Sequence, residues 1–165
     1  MAEDDHAARP DGRFAYDFVV ERGGSSYRGD GTSLSDYHCF GRPIYAPSAG
    51  TVVDVVSNLP DLPFGESDTE NATGNFVIID HPNGDFSLLG HLRQGSVEVA
   101  VGDTVKAGTP VGRCGNSGNT TEPHLHDQLQ AGAAVFGAEA LPAQFLNDTA
   151  DGRRVARGEP VRGRS

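Results

Sequence analysis

The chain is short of positive charge: 13 lysines and arginines stand against 23 aspartates and glutamates, for a formal net charge of -10 over 165 residues. Five of those 13, Arg153, Arg154, Arg157, Arg162 and Arg164, fall in the last thirteen positions, so the body is more acidic still. That balance excludes a phosphate-backbone ligand, and no nucleic-acid partner is expected. An acidic shell accompanies ordinary solubility, and it favours a cationic polymer or a metal cation over an anionic partner. Long apolar runs are missing too, so no membrane span is expected. The opening MAEDDHAARPDG has neither the charged start nor the apolar stretch of a signal peptide. The expected place of action is the cell envelope or the exterior if a leader precedes this chain, and the cytoplasm if none does. There are only two cysteines, Cys39 and Cys114, too few for a disulfide framework and wrongly spaced for a zinc ribbon. Two buried thiols are the favoured reading, with one disulfide as the alternative in an oxidising compartment.

Helix-forming runs are few, whereas 22 glycines and 10 prolines punctuate the chain about every ten residues. Short strands and loops follow from that spacing. RFAYDFVVER (13–22) alternates like a strand, 23–41 reads as a long loop, and 42–58 reads as two short strands around Pro-Ser-Ala-Gly. The loop from Leu59 to about Gly74 is long enough for a rim or substrate-binding element. From Asn75 the pattern becomes strand, turn, strand, with Asn83-Gly84 as a hairpin signal. GNSGNTTE (115–122) reads as a flexible loop poor in side chains, and 131–148 as a further strand or short helix. The expected fold is mostly β, antiparallel sheets forming a barrel-like sandwich with an open groove. It is a single domain over 1–147, followed by a flexible Arg/Gly-rich tail over 148–165.

Against that background EPHLHDQLQ (122–130) stands out, because strand alternation puts His124 and His126 on one face and Leu125 on the other. Two neighbouring imidazoles can serve one site in two roles, one ligating a cation and one handling a proton. A bare His-x-His is more often a pair of solvated side chains. Here His91 in LLGHLRQ and Asp17 in FAYDFVV, each in a strand-like segment, complete a four-part constellation. His81, at a hairpin end beside Pro82, and His38, in a loop next to Cys39, are less attractive.

These residues, with YAPSAGTVVDV, GNFVIIDHPNGDFSLLGHL and VAVGDTVKAGTPVGRCGNSGNTTEPHLH around them, closely resemble the lysostaphin/LytM-type zinc metallopeptidases. The resemblance runs from about Arg13 to Leu129. It implies a zinc-dependent endopeptidase that cuts peptide bonds in peptidoglycan cross-bridges or stem peptides, with peptidoglycan or a small peptide as its partner. It also implies that Asp17 and His126 ligate Zn2+, that His124 takes and returns a proton, and that His91 donates to the developing oxyanion without ligating. The family's remaining ligand is usually a histidine four residues before the aspartate, and that position is Arg13, which cannot bind a cation. His6, eleven positions before Asp17, is the nearest candidate; a histidine in a frayed terminus is the alternative. Three protein ligands leave a fourth position open, as in catalytic zinc sites.

Three departures bear on this expectation. Leu89 stands where the family often has tyrosine, and Asp127 where it has a core phenylalanine. If buried, Asp127 must be paired, with Arg13 or Arg113 as partner, or protonated; if not, it is solvated. The third is Arg13 itself, which favours the alternative function, a non-catalytic module binding or regulating at the cell wall. A weaker likeness of VAVGDTVKAGT to lipoyl and biotinyl carrier turns lacks the carrier's exposed lysine tip, since Lys106, the one lysine, lies within the turn without the expected flanking residues.

Overall fold

The computed structural model describes residues 14–150 and 153–158. Its strands are β1 (Tyr16–Phe18), β2 (Pro43–Tyr45), β3 (Gly50–Val56), β4 (Asn75–Asp80), β5 (Phe86–Leu92), β6 (Thr104–Val105), β7 (Pro110–Arg113), β8 (Leu125–Gln130), β9 (Ala140–Leu141), β10 (Phe145–Ala150) and β11 (Arg153–Gly158). A single 3-10 turn, Leu34–Asp36, is the other regular element among the described residues. No helix there is long and apolar enough to cross a membrane. β3, β4 and β5 form because valine, isoleucine and leucine suit a pleated surface covered on both faces. The Asn83-Gly84 turn joins β4 to β5 as expected, with Gly84 at φ 86° and its amide on the His81 carbonyl at 2.9 Å.

The main sheet is antiparallel in the order β1-β8-β5-β4-β3-β6, with β9 paired to β8. The expected mostly β, antiparallel architecture is present; the described strands do not close into a barrel, so "barrel-like" applies only loosely. One face packs Val52, Val77, Ile79 and Leu89 against Ile44 and Val111 of the small β2-β7 sheet. The other face buries Phe76, Ile78 and Leu88, with Val135 packed against them. β1 is shorter than the alternation of 13–22 suggested, because Val19 is already exposed beyond the edge.

One expectation is corrected here. Cys39 and Cys114 are not two thiols but a disulfide, with Cα atoms 5.9 Å apart, tying the 23–41 loop to the end of β7. The backbone of β10 pairs antiparallel with that of β11, Leu146 opposite Arg157.

Candidate active site

Three neighbouring strands bring the expected residues together. In the β1-β8 ladder Asp17 lies directly opposite His126, and in the β5-β8 ladder Gly90 lies opposite His126. Directly opposed residues put their side chains on one face. His126 Nδ1 is 3.0 Å from Asp17 Oδ1, and His124 Nε2 is 3.4 Å from the same oxygen. The His91 ring centroid is 4.6 Å from that of His124 and 5.7 Å from that of His126. Asp17 keeps 38% of its side chain exposed while the imidazoles of His124 and His126 are largely covered, so the cluster opens to solvent on the Asp17 side. His6 lies outside the described residues.

His91 reaches this face by breaking the strand. Alternation from Gly90 would turn it away from His126, but the β4-β5 register shifts between Asn75 and Val77, a bulge that re-aims the following side chain. At the bulge His91 adopts φ 55°, the single positive value at a non-glycine residue among those described, a conformation that costs on the order of 1 kcal/mol or more. Its amide donates to the Thr73 carbonyl and its carbonyl accepts from the Gly115 amide, both at 3.0 Å, which holds the backbone there.

Each of the two proton-handling candidates has one nitrogen committed to the backbone. His91 Nδ1 donates to the Ser117 carbonyl (2.9 Å) and His124 Nδ1 to the Glu122 carbonyl (2.7 Å), with the Thr120 hydroxyl 3.1 Å from the latter nitrogen. The acceptor for His91 is itself fixed, because Ser117 Oγ donates to the Leu92 carbonyl and accepts from the amide of the fully buried Asn75. Gly74 allows that fit: a Cβ there would overlap the Ser117 backbone. The 115–118 stretch, expected to be flexible, is buried and bonded, with the Asn119 amide on the Ala72 carbonyl. Ser117, Thr120 and Glu122 are supporting residues that sequence reading missed; nothing in a Gly/Asn/Ser-rich stretch signals a packed loop.

Burial, with the charges of His124 and His126 adding to it, pushes His91 down to about 3. A neutral His91 that donates from Nδ1 has a bare Nε2, so donation to an oxyanion requires that the ring first gain a proton. Burial also opposes charge on His124, but the Asp17 carboxylate and the Glu122 carbonyl together outweigh it and raise its pKa. Asp127, beside His126, is buried, and desolvation pushes its carboxyl up to about 6 against a smaller opposing effect of His126. The buried alternative for Asp127 therefore holds. Arg113 is not its partner: that guanidinium meets Glu98 at 3.8 Å and the Gly41 carbonyl at 3.3 Å. Arg13 lies outside the described residues. His81 is a buried structural clamp, with Nδ1 2.8 Å from the Ala49 carbonyl and Nε2 2.8 Å from Ser87 Oγ.

The model of peptidase family M23 matches residues 31–136, more than half of the chain. The chain belongs to peptidase family M23. It is 36% identical over 88 residues to endolysin 2638A of Staphylococcus phage 2638A, covering 52% of this chain and 16% of the relative. It is 34% identical over 89 residues to the peptidoglycan DD-endopeptidase ShyA of Vibrio cholerae, covering 54% of this chain and 17% of that protein. The matches thus span about a sixth of each curated relative. Among solved structures, lysostaphin from Staphylococcus simulans aligns over 77% of this chain and 41% of its own, with 25% identity and a TM-score of 0.49.

For an M23 peptidase the donor chemistry fits a small dication. The Asp17 carboxylate and His126 Nδ1 present an oxygen and a nitrogen donor 3.0 Å apart, donor types that a zinc-like ion takes. The described residues alone form no group of three or more metal-holding side chains. A third M23 ligand would have to come from outside them, where His6 lies.

Proposed function

We propose that this M23 peptidase is a zinc-dependent endopeptidase that hydrolyses peptide bonds in the cross-bridges or stem peptides of peptidoglycan. The observation that carries the reading is the convergence of His124 and His126 on one oxygen of Asp17, with His91 packed against both rings. Identity of 34% with a peptidoglycan DD-endopeptidase supports the substrate class. With that substrate, the site of action is the cell envelope or the exterior.

Asp17, His126 and His6 would hold the metal. Zinc there would supply Lewis acidity, polarising the scissile carbonyl and making the attacking water more acidic. The protein's own part is proton handling. With Nδ1 occupied by a backbone carbonyl, Nε2 is the nitrogen left for chemistry on each of His124 and His91. A ring with bare Nε2 takes the proton from water as it attacks, then serves as the donor, toward the oxyanion or the leaving amine. The sequence-based division, His124 as the shuttle and His91 as the oxyanion donor, is kept on condition that His91 acquires its proton within the cycle.

A non-catalytic wall-binding module is the second reading, favoured by Arg13 at the position where the family usually carries its first histidine ligand. Zinc analysis of the purified protein, with digestion of cross-linked peptidoglycan fragments, separates the two. The enzyme reading expects near-stoichiometric zinc, a sharp fall in His6→Ala, and new amino termini in the digest. Zinc-free protein that binds fragments without cutting them, even after zinc is added, supports the module.

A further inference from the structure

Asp17 reaches the imidazoles on a strand with little ladder to hold it. β1 is three residues long, stands at one end of the sheet order, and pairs with β8 through Tyr16 opposite Asp127, Asp17 opposite His126 and Phe18 opposite Leu125. Side chains alternate along a strand, so a slip of one residue would turn Asp17 away from His126 and put an aromatic ring in its place. The face opposite Asp17 carries what resists such a slip. Tyr16 and Phe18, half-buried on either side of the exposed Asp17, stack with ring centroids 6.1 Å apart. Phe145 meets both edge-on, at 5.4 Å from Tyr16 and 5.5 Å from Phe18, and the Tyr16 hydroxyl donates to the Ala143 carbonyl at 3.5 Å. Phe145 is the first residue of β10, so here the β10-β11 pair meets the edge strand. All three rings lie outside the 31–136 stretch that the M23 model matches, and the segments on its two sides close on each other at this point.

We propose that Phe145 is a positioning residue for Asp17: its ring clamps the aromatic face of β1 and so fixes the register that turns the Asp17 carboxylate toward His126. Edge-to-face aromatic pairs are directional, so the trio specifies one placement of the strand where a general apolar contact would allow several. Tyr16 and Phe18 engage the same Phe145 ring, and a one-residue slip would break both contacts at once. The route to the site is short, because these two residues flank Asp17 directly and its carboxylate stands 3.0 Å from His126 Nδ1. Phe145 acts through them and not on substrate. Groups that orient a metal ligand matter nearly as much as the ligand, so losing the clamp weakens what Asp17 and His126 hold.

This role rests on the reading of Asp17 as a metal ligand, and two measurements on the full chain separate their failures. The first is NMR of metal-free protein. In Phe145→Ala the backbone order parameters of Tyr16, Asp17 and Phe18 are expected to fall from about 0.85 to below about 0.6, with loss of the cross-strand contacts between Asp17 and His126, while β5 and β8 stay rigid and paired. The second is zinc affinity, by competition with a chromophoric chelator, which should weaken by about 10–100-fold. Phe145→Tyr, which keeps the ring, should restore both. If Phe145→Ala does not fold, Phe145→Leu, which keeps apolar bulk without a ring edge, is read in its place by the same two measurements. A β1 that stays ordered and paired overturns the clamp, and so does a loosened β1 with unchanged zinc affinity, or a Phe145→Tyr variant that restores neither. Wild type that binds zinc as tightly as the variant keeps the endopeptidase reading and overturns the clamp. Wild type that binds no zinc, with β1 still loosened in the variant, keeps the clamp and overturns the endopeptidase reading.

Discussion

His91 and His124 lie with their ring centroids 4.6 Å apart, and each anchors Nδ1 on a backbone carbonyl, so that Nε2 is the nitrogen left to both. Two imidazoles at that separation do not both carry charge comfortably, and burial leaves His91 as the one without it.

Removing either ring should therefore stop chemistry and spare metal. His91→Ala and His124→Ala are each expected to lower turnover of peptidoglycan fragments by about 10²–10⁴-fold while zinc content stays near wild type. Asp17→Ala and His126→Ala should lose both. Metal analysis beside turnover measures the split, and loss of zinc in His124→Ala would move that residue from proton handling to ligation.

Asp127 should make stability fall as pH rises. Its folded value of about 6 lies above the ordinary 3.8, so the folded chain holds a proton that the unfolded chain has released between those values. The group's contribution is fully present below about pH 3.8 and lost as pH climbs through about 6, an effect of about 3 kcal/mol. In urea unfolding of metal-free protein, Asp127→Asn should match wild type near pH 4 and exceed it by up to about 3 kcal/mol at pH 8. A constant difference across that range would contradict the assignment.

The left-handed backbone at His91 predicts an order between two otherwise similar truncations. His91→Gly should be more stable than His91→Ala by about 1 kcal/mol, because glycine adopts φ 55° without strain. Thermal or urea unfolding of the pair decides it; the reverse order would mean that the bulge relaxes when the ring is gone.

The Cys39-Cys114 bond spans 75 residues, and closing so long a loop limits the unfolded chain. Reduction, or the double serine variant, is expected to cost about 2–4 kcal/mol, read as a lower urea midpoint. Wild type should lose this margin on adding reductant and the double variant should not change.

How much of this was legible beforehand differs from residue to residue. Period-two alternation put His124 and His126 on one face, and the strand-like FAYDFVV offered Asp17, to which the resemblance gave a role; the β1-β8 register joins them. His91 could be named but not aimed, since a bulge depends on how β5 pairs with β4, which its own strand does not encode. The 115–118 stretch misled because its small polar residues are those of a mobile loop, and only the matching absence of a side chain at Gly74 lets it pack. A pair of cysteines 75 positions apart carries no local sign of pairing at all. Strand content and the β4-β5 hairpin were the most readable features, being set by β-branched runs and one turn.

Gly74 carries a further consequence. By standing aside for the Ser117 carbonyl, a residue with no functional group decides which nitrogen of His91 is basic. One methyl group at that position would unseat the acceptor and let the imidazole exchange tautomers, so the acid-base identity of the centre is inherited from a steric vacancy in a neighbouring loop.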